Sequence, residues 1–546
     1  IIILKGSDFM KKRHIVFIII IISVLSIFPL LVKSNVLGHD TRFHLANIKD
    51  ISNTMRLTNP LPKISNIIGN GLGYGTHLFY APLPHYIGGY VNRIFRFLDF
   101  GADNCLVFMY LLVSISSGII MYYLAFDLTK NKYTSLLSSI IYLLTPYRMG
   151  DMIVRSSYNE IFIFLFFPMI LLSLNHLIHN KKYLILFVVG YSGLILSHLV
   201  MSLYATLFII IWTLFFFKQL FQKENILKLL KGISIVSMIV LPFLTLLVSQ
   251  KMGGNYSVFT DGYMANIKDI NASTLSLKSF IIPLNDYSWE VPQFTNILVI
   301  ITFLISCFII IKDKNKNLYY FIILFLINFI MCLKVFPWNL LPKFFYMIQF
   351  PWRLQTFIAV SLSIIAPICF TKLSIKTLKI TTIIFTCLLI VTEIPFIKSM
   401  MNYTYLLDSD IDYNFGMGNS REYLPISANE NLDYFNSKKR EIKCDDCVYT
   451  ITRNSSRFLK FEIETDHKQK IELPKIYYVG YELRDSNNKK IKFYENEFGL
   501  VEFIGNENTY TLTYKAPLMY RAIIILDGFV IIGIIIFKVW KRSSKN

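Results

Sequence analysis

The sequence predicts a polytopic α-helical membrane protein of about twelve spans with a small extracytoplasmic β-sandwich domain. Hydrophobic residues make up 54% of the 546 residues, and the mean hydropathy is +0.50. Apolar runs of about 17–25 residues recur along the chain, which is the length that crosses the hydrocarbon core of a bilayer. Between residues 397 and 519, short runs instead alternate apolar and polar side chains, a pattern typical of strands.

The apolar runs divide the chain into four regions. Residues 1–14 are predicted to be a cytoplasmic N-terminus, with an upstream extension before Met10, and residues 15–396 a multi-spanning membrane domain. Residues 397–519 are predicted to form the extracytoplasmic β-rich domain, and residues 520–546 the final transmembrane helix and a basic cytoplasmic tail. The predicted spans are 15–32, 104–126, 134–147, 160–178, 183–197, 200–217, 232–249, 295–311, 318–333, 354–371, 379–396 and 520–537.

The distribution of Lys and Arg sets the predicted orientation. Basic residues cluster in the short segments at every second connection between the spans. Only three acidic residues, Asp127, Glu224 and Asp313, lie in those segments. Cytoplasmic loops carry such an excess of positive charge, so both termini are predicted to be cytoplasmic in a bacterial plasma membrane. Residues 33–103 and 250–294 then become long outer loops. Because topology explains the net charge of +20, nucleic acid is not expected as a partner.

Five runs within the β-rich region are predicted to be strands. They are Phe458–Glu464, Lys475–Glu482, Lys490–Tyr494, Leu500–Ile504 and Tyr510–Tyr514. Each run hides one face, so we expect the strands to pair as a small antiparallel sandwich. In the same region Cys444 and Cys447 form a CxxC pair. A local disulfide is favoured there over a metal site, and two free thiols are the third alternative.

The stretch Gly38–Leu45 follows the first apolar run and carries unusual chemistry for a loop. Asp40 is a candidate general base, or a ligand of a divalent cation that holds a phosphate. His39 and His44 are candidates for contacting phosphate oxygens or tuning the acid, and Arg42 for pairing with an anion. The alternative is structural, because Asp40 also suits the N-cap of the helix that follows.

The rest of the first outer loop is interpreted as supporting structure. Residues 69–75 are rich in Gly, but they lack the Lys-Ser/Thr ending of a phosphate-binding loop and do not follow a strand. The pattern therefore favours tight turns that lie on the membrane surface. Residues 83–97 look amphipathic, with Arg93 and Arg96 facing water or lipid headgroups.

Two further polar segments lie at predicted outer ends of spans. Arg148 and Arg155 are candidates for a clamp on a phosphate or diphosphate, and Glu160 would open the next span at its positive dipole end. The equally weighted alternative is that Arg155 and Glu160 only neutralise each other. Arg353, in the run Phe-Pro-Trp-Arg, is either a cation near a lipid-phosphate headgroup or part of an interfacial aromatic anchor with a snorkelling Arg. The run by itself favours the anchor.

Several of these stretches together resemble a bacterial family, the 6-pyruvoyl-tetrahydropterin synthase-related membrane proteins, and they are also similar to YfhO-type membrane proteins. The motifs are Gly38–Leu45, Gly73–Tyr74 with Phe79–Leu83, Arg155 with Glu160, Phe350–Arg353, Arg421–Pro425 and Leu473–Tyr481. The pterin label does not indicate pterin synthesis. A soluble pterin synthase needs a zinc-binding His cluster, and the nine His of this chain are scattered.

The resemblance implies a similarity to multi-spanning C-type glycosyltransferases, which use a polyprenyl-phosphate sugar as donor and place an acid in the first outer loop. Asp40 matches that position, with His39 rather than a second acid beside it. The implied function is transfer of a sugar from this donor, within membrane lipid, to a cell-surface glycan or lipid acceptor on the outer face. The alternative is a non-catalytic integral membrane protein that binds, flips or scaffolds cell-envelope polymer precursors. Whether a divalent cation takes part is left open.

Overall fold

The computed structural model describes residues 11–32, 38–177, 183–220, 222–260, 266–282, 294–402, 417 and 421–529. The upstream extension, parts of the regions 250–294 and 397–519, and the tail from residue 530 lie outside the described residues. The predictions made for those stretches therefore stay predictions.

The described residues are mostly helical. The first helices along the chain are α1 (Lys12–Ser26), α2 (Phe28–Val32), α3 (Thr41–Thr54), α4 (Thr76–Phe79), α5 (Leu83–Phe95), α6 (Ala102–Thr129), α7 (Lys132–Leu143), α8 (Pro146–Ile153), α9 (Ile163–Leu177), α10 (Tyr183–Ser197) and α11 (Leu199–Phe215). The later ones are α12 (Phe217–Leu220), α13 (Lys223–Gly253), α14 (Ile267–Ala272), α15 (Leu277–Ile281), α16 (Ile297–Lys312), α17 (Lys316–Cys332), α18 (Gln355–Ile365), α19 (Ile375–Asn402), α20 (Ile426–Glu430) and α21 (Leu432–Ser437).

Eight strands follow the helices. They are β1 (Val448–Ser455), β2 (Phe458–Glu464), β3 (Gln469–Ile476), β4 (Tyr481–Arg484), β5 (Lys490–Ile491), β6 (Phe493–Glu495), β7 (Leu500–Gly505) and β8 (Asn508–Tyr514). Residues 518–529 are again helical. By Cα proximity the chain divides into two compact units. Unit 1 comprises Ile1–Thr41, Asp103–Ile233 and Ala265–Asp410, and unit 2 comprises Arg42–Ala102, Ser234–Met264 and Ile411–Asn546.

Unit 1 is built around two enclosed helices. Every side chain of α18 is buried, as is every side chain of α7 from Thr134 to Leu143. α7 packs against α1, α18 and α19, which leaves it no lipid-facing stripe. Burial on all sides places these two helices in the interior of unit 1.

Five helical segments among the described residues are long and apolar enough to cross a membrane. They are Ala102–Thr129, Glu160–Leu177, Lys223–Gly253, Pro351–Phe370 and Ile375–Met401. α10, α11, α16 and α17 are shorter apolar helices. The short predicted span 134–147 is interrupted near its end, because α7 stops at Leu143 and Pro146 starts a new helix. The total of twelve spans stays a prediction.

Unit 2 contains an antiparallel β-sandwich, as the alternating pattern predicted. One sheet has the order β1-β2-β8-β4-β5 and the other β3-β7-β6. The predicted single strand Lys475–Glu482 is wrong, because Gly480 has a φ of +119° and separates β3 from β4, which belong to different sheets. The predicted strand Lys490–Tyr494 likewise divides into β5 and β6. β1 was not predicted.

The Gly-rich segment 69–75 packs into the core of unit 2. Leu72 and Tyr74 are fully buried among the side chains of the sandwich. The carbonyl of Leu72 accepts a hydrogen bond from the Ile476 amide (3.0 Å), and the Tyr74 hydroxyl donates to the carbonyl of Met417 (2.9 Å). The expectation that this segment lies on the membrane surface is therefore wrong, since its apolar side chains belong to the sandwich core.

Candidate functional site

A tight turn before α3 fixes the backbone of Asp40. The amide of His39 donates to the carbonyl of Val154 (3.0 Å), and the amide of Asp40 donates to the carbonyl of Arg155 (2.8 Å). Gly38 makes this approach possible, because a Cβ there would lie 2.7 Å from Ser156 Cβ and 2.8 Å from two backbone oxygens. Asp40 is thereby held against the segment that follows α8, within unit 1.

A buried group of charges, which we call the Arg155 cluster, lies around that segment: Asp151 of α8, Arg155, Glu160 and the distant Arg353. Arg155 Nη1 donates to Asp151 Oδ1 at 2.6 Å and to Glu160 Oε2 at 2.8 Å. Arg353 Nε lies 3.2 Å from the same Glu160 oxygen, and the Tyr147 hydroxyl donates to the other one at 3.2 Å. Both carboxylates are fully buried. Buried charges need such partners, because desolvation of an isolated one is costly.

Aromatic and imidazole side chains complete the surroundings of the cluster. The guanidinium of Arg155 lies 4.9 Å from the ring centre of Trp352, a cation–π distance. His198 Nε2 is 3.9 Å from Glu160 Oε2, while its Nδ1 accepts from the Met201 amide at the start of α11. Arg353 also donates to the carbonyl of Ile348, so its guanidinium is held by both this carbonyl and Glu160.

Asp40 differs from the carboxylates of the cluster because its side chain is only half-buried. Burial raises the pKa of Asp40 above its ordinary value, and the positive charges of Arg155 and Arg353 oppose this rise. His39 beside it is exposed, and partial burial lowers the pKa of its imidazole. The arrangement therefore places one partly exposed aspartate of raised pKa in the field of two fixed guanidinium groups.

Arg148 serves a different place in unit 1. Its guanidinium donates to the hydroxyls of Ser114 and Ser117 on α6, at 3.1 and 3.0 Å, and to the carbonyl of Leu143. The side chain is almost fully buried, and it lies over the ring of Tyr142. These contacts engage Arg148 in helix packing, which leaves Arg155 and Arg353 as the cations near Asp40.

Arg42 and His44 belong to unit 2, on α3. His44 Nδ1 lies 2.8 Å from His85 Nε2, and His85 Nδ1 lies 3.2 Å from His77 Nε2, so three buried imidazoles form a row. Burial lowers the pKa of His85 well below its ordinary value, and it also lowers that of His77. The row is a buried, hydrogen-bonded group inside unit 2.

Sequence reasoning missed three members of these surroundings. Asp151 is not among the predicted site residues, although its spacing of four residues from Arg155 is the signal of an ion pair. Trp352 and Tyr147 carried no local signal. Their contacts depend on tertiary packing between segments far apart in the chain.

The donor set around Asp40 does not fit a divalent cation. Among the described residues, no three His, Cys, Asp or Glu side chains are grouped so that they could hold a metal. Asp40 stands beside guanidinium groups, and the nearest carboxylates, Glu160 and Asp151, are already paired with Arg155. Hard cations need several oxygen ligands, and the described residues around Asp40 do not supply them. In unit 2, Cys444 and Cys447 form a disulfide, the favoured of the three alternatives.

The sequence itself decides the family. Residues 77–400 match the family model of the 6-pyruvoyl-tetrahydropterin synthase related domain, described as a membrane protein. The match covers more than half of the chain. The chain belongs to this family. The resemblance inferred from the motifs is thereby confirmed, and the 6-pyruvoyl-tetrahydropterin synthase-related protein is a helical membrane protein with a small antiparallel β domain.

The chain is also similar to solved structures, at low sequence identity. The archaeal oligosaccharyltransferase AglB from Archaeoglobus fulgidus, in complex with an inhibitory peptide and a dolichol-phosphate, is 13% identical, with a TM-score of 0.48. That match covers 80% of this chain and 61% of the archaeal one, so this chain spans less than two thirds of its length. The arabinofuranosyltransferase AftD from Mycobacteria is 12% identical, with a TM-score of 0.45, over 73% of this chain and 28% of that one. No curated protein matches the chain.

Proposed function

We propose that this family member is a membrane glycosyltransferase, which moves a sugar from a polyprenyl-phosphate donor to a cell-surface glycan or lipid acceptor on the outer face. The observation that carries the proposal is the setting of Asp40. The residue is partly exposed, its backbone is held by the segment after α8, and two guanidinium groups act on its carboxylate. Membership in a membrane family supports substrates that are delivered within the bilayer.

Asp40 is the general base in this proposal. It takes the proton of the acceptor hydroxyl while that oxygen attacks the anomeric carbon of the sugar. The bond between this carbon and the phosphate oxygen breaks, and polyprenyl phosphate leaves with the electron pair. The raised pKa of Asp40 supports this role, because a base works best when its pKa approaches the operating pH.

Arg155 and Arg353 stabilise the negative charge on the departing phosphate. Guanidinium groups suit phosphate oxygens, and charges that are fixed beforehand need no reorganisation during the reaction. Their exposed fractions are 5% and 7%, so they act as fixed cations and not as a mobile clamp. His39 is exposed and adjacent to Asp40, and in this proposal it contacts the incoming substrate. Arg42 and His44 on α3 are the other candidate substrate-binding residues.

A non-catalytic protein that binds, flips or scaffolds cell-envelope polymer precursors is the second candidate. The enclosure of the Arg155 cluster favours it, because Asp151 and Glu160 satisfy Arg155 without any substrate. In that case Asp40 shapes the turn before α3, and its carboxylate has no chemical task.

The test is the substitution Asp40→Asn, assayed in membrane vesicles with a radiolabelled sugar on polyprenyl phosphate. We expect the rate of transfer per folded molecule to fall by about 10²–10⁴-fold, the usual contribution of a general base. Asp99→Asn is the matched control, since Asp99 is exposed and its φ of 58° is one that Asn adopts readily. Transfer at the wild-type rate by Asp40→Asn would reject Asp40 as the general base. Absence of transfer by the wild-type protein would reject the enzymatic proposal in favour of the scaffold.

A further inference from the structure

A group of basic side chains lies on unit 2 where the sandwich ends and the helical segment 518–529 begins. The group, which we call the basic patch, consists of Arg484, Lys490, Lys515 and Arg521. It surrounds one carboxylate, that of Glu482 on β4. Four cations that share one anion retain a net positive charge.

The distances within the patch place all four cations around the two oxygens of Glu482. Lys515 Nζ and Arg484 Nη2 lie 2.9 and 3.1 Å from Oε2. Lys490 Nζ and Arg521 Nη2 lie 3.6 and 4.0 Å from Oε1. The ammonium of Lys515 and, to a lesser degree, Arg484 lower the pKa of Glu482 to about 2, so this acid is ionised at neutral pH. One carboxylate cannot satisfy all the donors around it.

Two donors of the patch are in fact unused. The Nε–H groups of Arg484 and Arg521 are buried and have no hydrogen-bond partner among the described residues. A buried donor without a partner costs free energy, and an anion that approaches the patch from outside would supply the missing acceptors.

The helical segment that starts beside the patch has an exposed apolar surface. Its side chains Leu518, Ile525 and Phe529 are 76%, 59% and 69% exposed, although they are large and apolar. In a membrane protein such a surface faces the hydrocarbon core. Arg521 lies in its first turn, and the ring of Tyr520 packs partly against the core of unit 2. Basic and aromatic side chains at the start of an apolar helix are typical of the membrane–water interface.

We propose that the basic patch binds the phosphate headgroups of anionic phospholipids at the surface of the membrane that segment 518–529 enters. The charge of the patch, its unused guanidinium donors and its position beside an apolar helix all fit a phosphodiester at that depth. Binding there holds the sandwich against the bilayer. This inference is independent of the proposed transferase activity, since none of its residues takes part in the site at Asp40.

The experiment measures lipid binding by the full chain in neutral detergent micelles. Native mass spectrometry follows a titration with dioctanoyl phosphatidylglycerol, and dioctanoyl phosphatidylcholine serves as the uncharged-headgroup comparison. We expect phosphatidylglycerol to bind more tightly than phosphatidylcholine. The double variant Lys515→Gln/Arg521→Gln should bind phosphatidylglycerol about 25-fold more weakly, because each basic residue near an anionic surface contributes about a fivefold gain.

Two further variants separate the patch from general charge. Lys468→Gln/Lys470→Gln removes two exposed charges from the other sheet of the sandwich and should bind like the wild type. Glu482→Gln removes the anion that competes for the patch and should bind phosphatidylglycerol more tightly. The first of these variants should leave phosphatidylglycerol affinity unchanged and the second should raise it. A simple loss of folding would lower the affinity in both, so it cannot produce the expected pattern.

Several outcomes would overturn the proposal. It is rejected if phosphatidylcholine binds as well as phosphatidylglycerol, or if the double variant at residues 515 and 521 keeps wild-type binding. Inorganic phosphate is the last arm. If phosphate displaces phosphatidylglycerol at equal concentration, the patch is a site for free anions and the assignment to a membrane headgroup is wrong.

Discussion

Replacing Arg155 with Met removes the guanidinium group whose Nη1 contacts two buried carboxylates. The distances are 2.6 Å to Asp151 and 2.8 Å to Glu160, and the exposed fractions of these acids are zero. After the substitution Glu160 still has Arg353 at 3.2 Å, whereas Asp151 loses the cation with which it is paired. Removing one partner of a buried ion pair costs about 3–5 kcal/mol of unfolding free energy, and we expect this range.

The assay is equilibrium unfolding of the purified protein in mixed micelles by titration with sodium dodecyl sulfate, followed by circular dichroism. Lys372→Met is the matched control in unit 1, because Lys372 forms an exposed pair with Asp313 at 2.7 Å. Exposed pairs contribute about 0–1 kcal/mol, so the control should change little. A cost for Arg155→Met no larger than that of the control would refute the description of the cluster as a buried, mutually dependent group.

A double variant gives the same reasoning a second check. Asp151→Asn added to Arg155→Met removes the carboxylate that was left without its cation. We therefore expect the double variant to be more stable than Arg155→Met alone, with a coupling energy of about 1–3 kcal/mol, as for residues in one network. Simple additivity of the two losses would show that Arg155 and Asp151 act independently.

Three further predictions follow from single features. Gly38→Ala should reduce sugar transfer in the vesicle assay while keeping the carboxylate of Asp40, because the new Cβ would meet Ser156 Cβ at 2.7 Å and displace the turn. Burial raises the pKa of Asp50 to about 6, so its proton is bound more tightly in the folded state. The unfolding free energy should therefore fall by up to about 3 kcal/mol as the pH rises from about 4 to 6. Asp50→Asn should flatten this pH dependence in denaturant titrations. Replacing Cys444 and Cys447 with Ser should cost the sandwich only about 2 kcal/mol in chemical denaturation, because the disulfide closes a very short loop.

The sequence predicted the elements whose pattern is local. The strand Phe458–Glu464 was placed correctly because its side chains alternate strictly between the core and solvent. The break at Gly480 was missed, because the run around it is apolar enough to continue a strand and only the backbone φ of +119° shows that it cannot. A glycine inside an alternating run was the available signal.

The candidate site was predictable in part for the same reason. Arg155 and Glu160 are five residues apart, so their pairing was among the expected alternatives. The arrival of Arg353 at the same carboxylate joins segments nearly two hundred residues apart, and tertiary packing alone decides it. Conversely, Arg148 looked like a partner of Arg155 in the sequence, yet a helix turn directs its guanidinium to the serines of α6.

The insertion of segment 69–75 into the sandwich core has a consequence for synthesis of the chain. Leu72 leaves the ribosome about 400 residues before Ile476, whose amide it finally binds. At elongation rates of about 5–20 residues per second, the apolar side chains of this segment wait about 20–80 s for their partners. During that interval the apolar side chains of the early loop are exposed, and a chaperone or the translocation machinery has to shield them. A chain that ends before the sandwich is complete would leave Leu72 and Tyr74 exposed, and it would be a substrate for quality-control proteases.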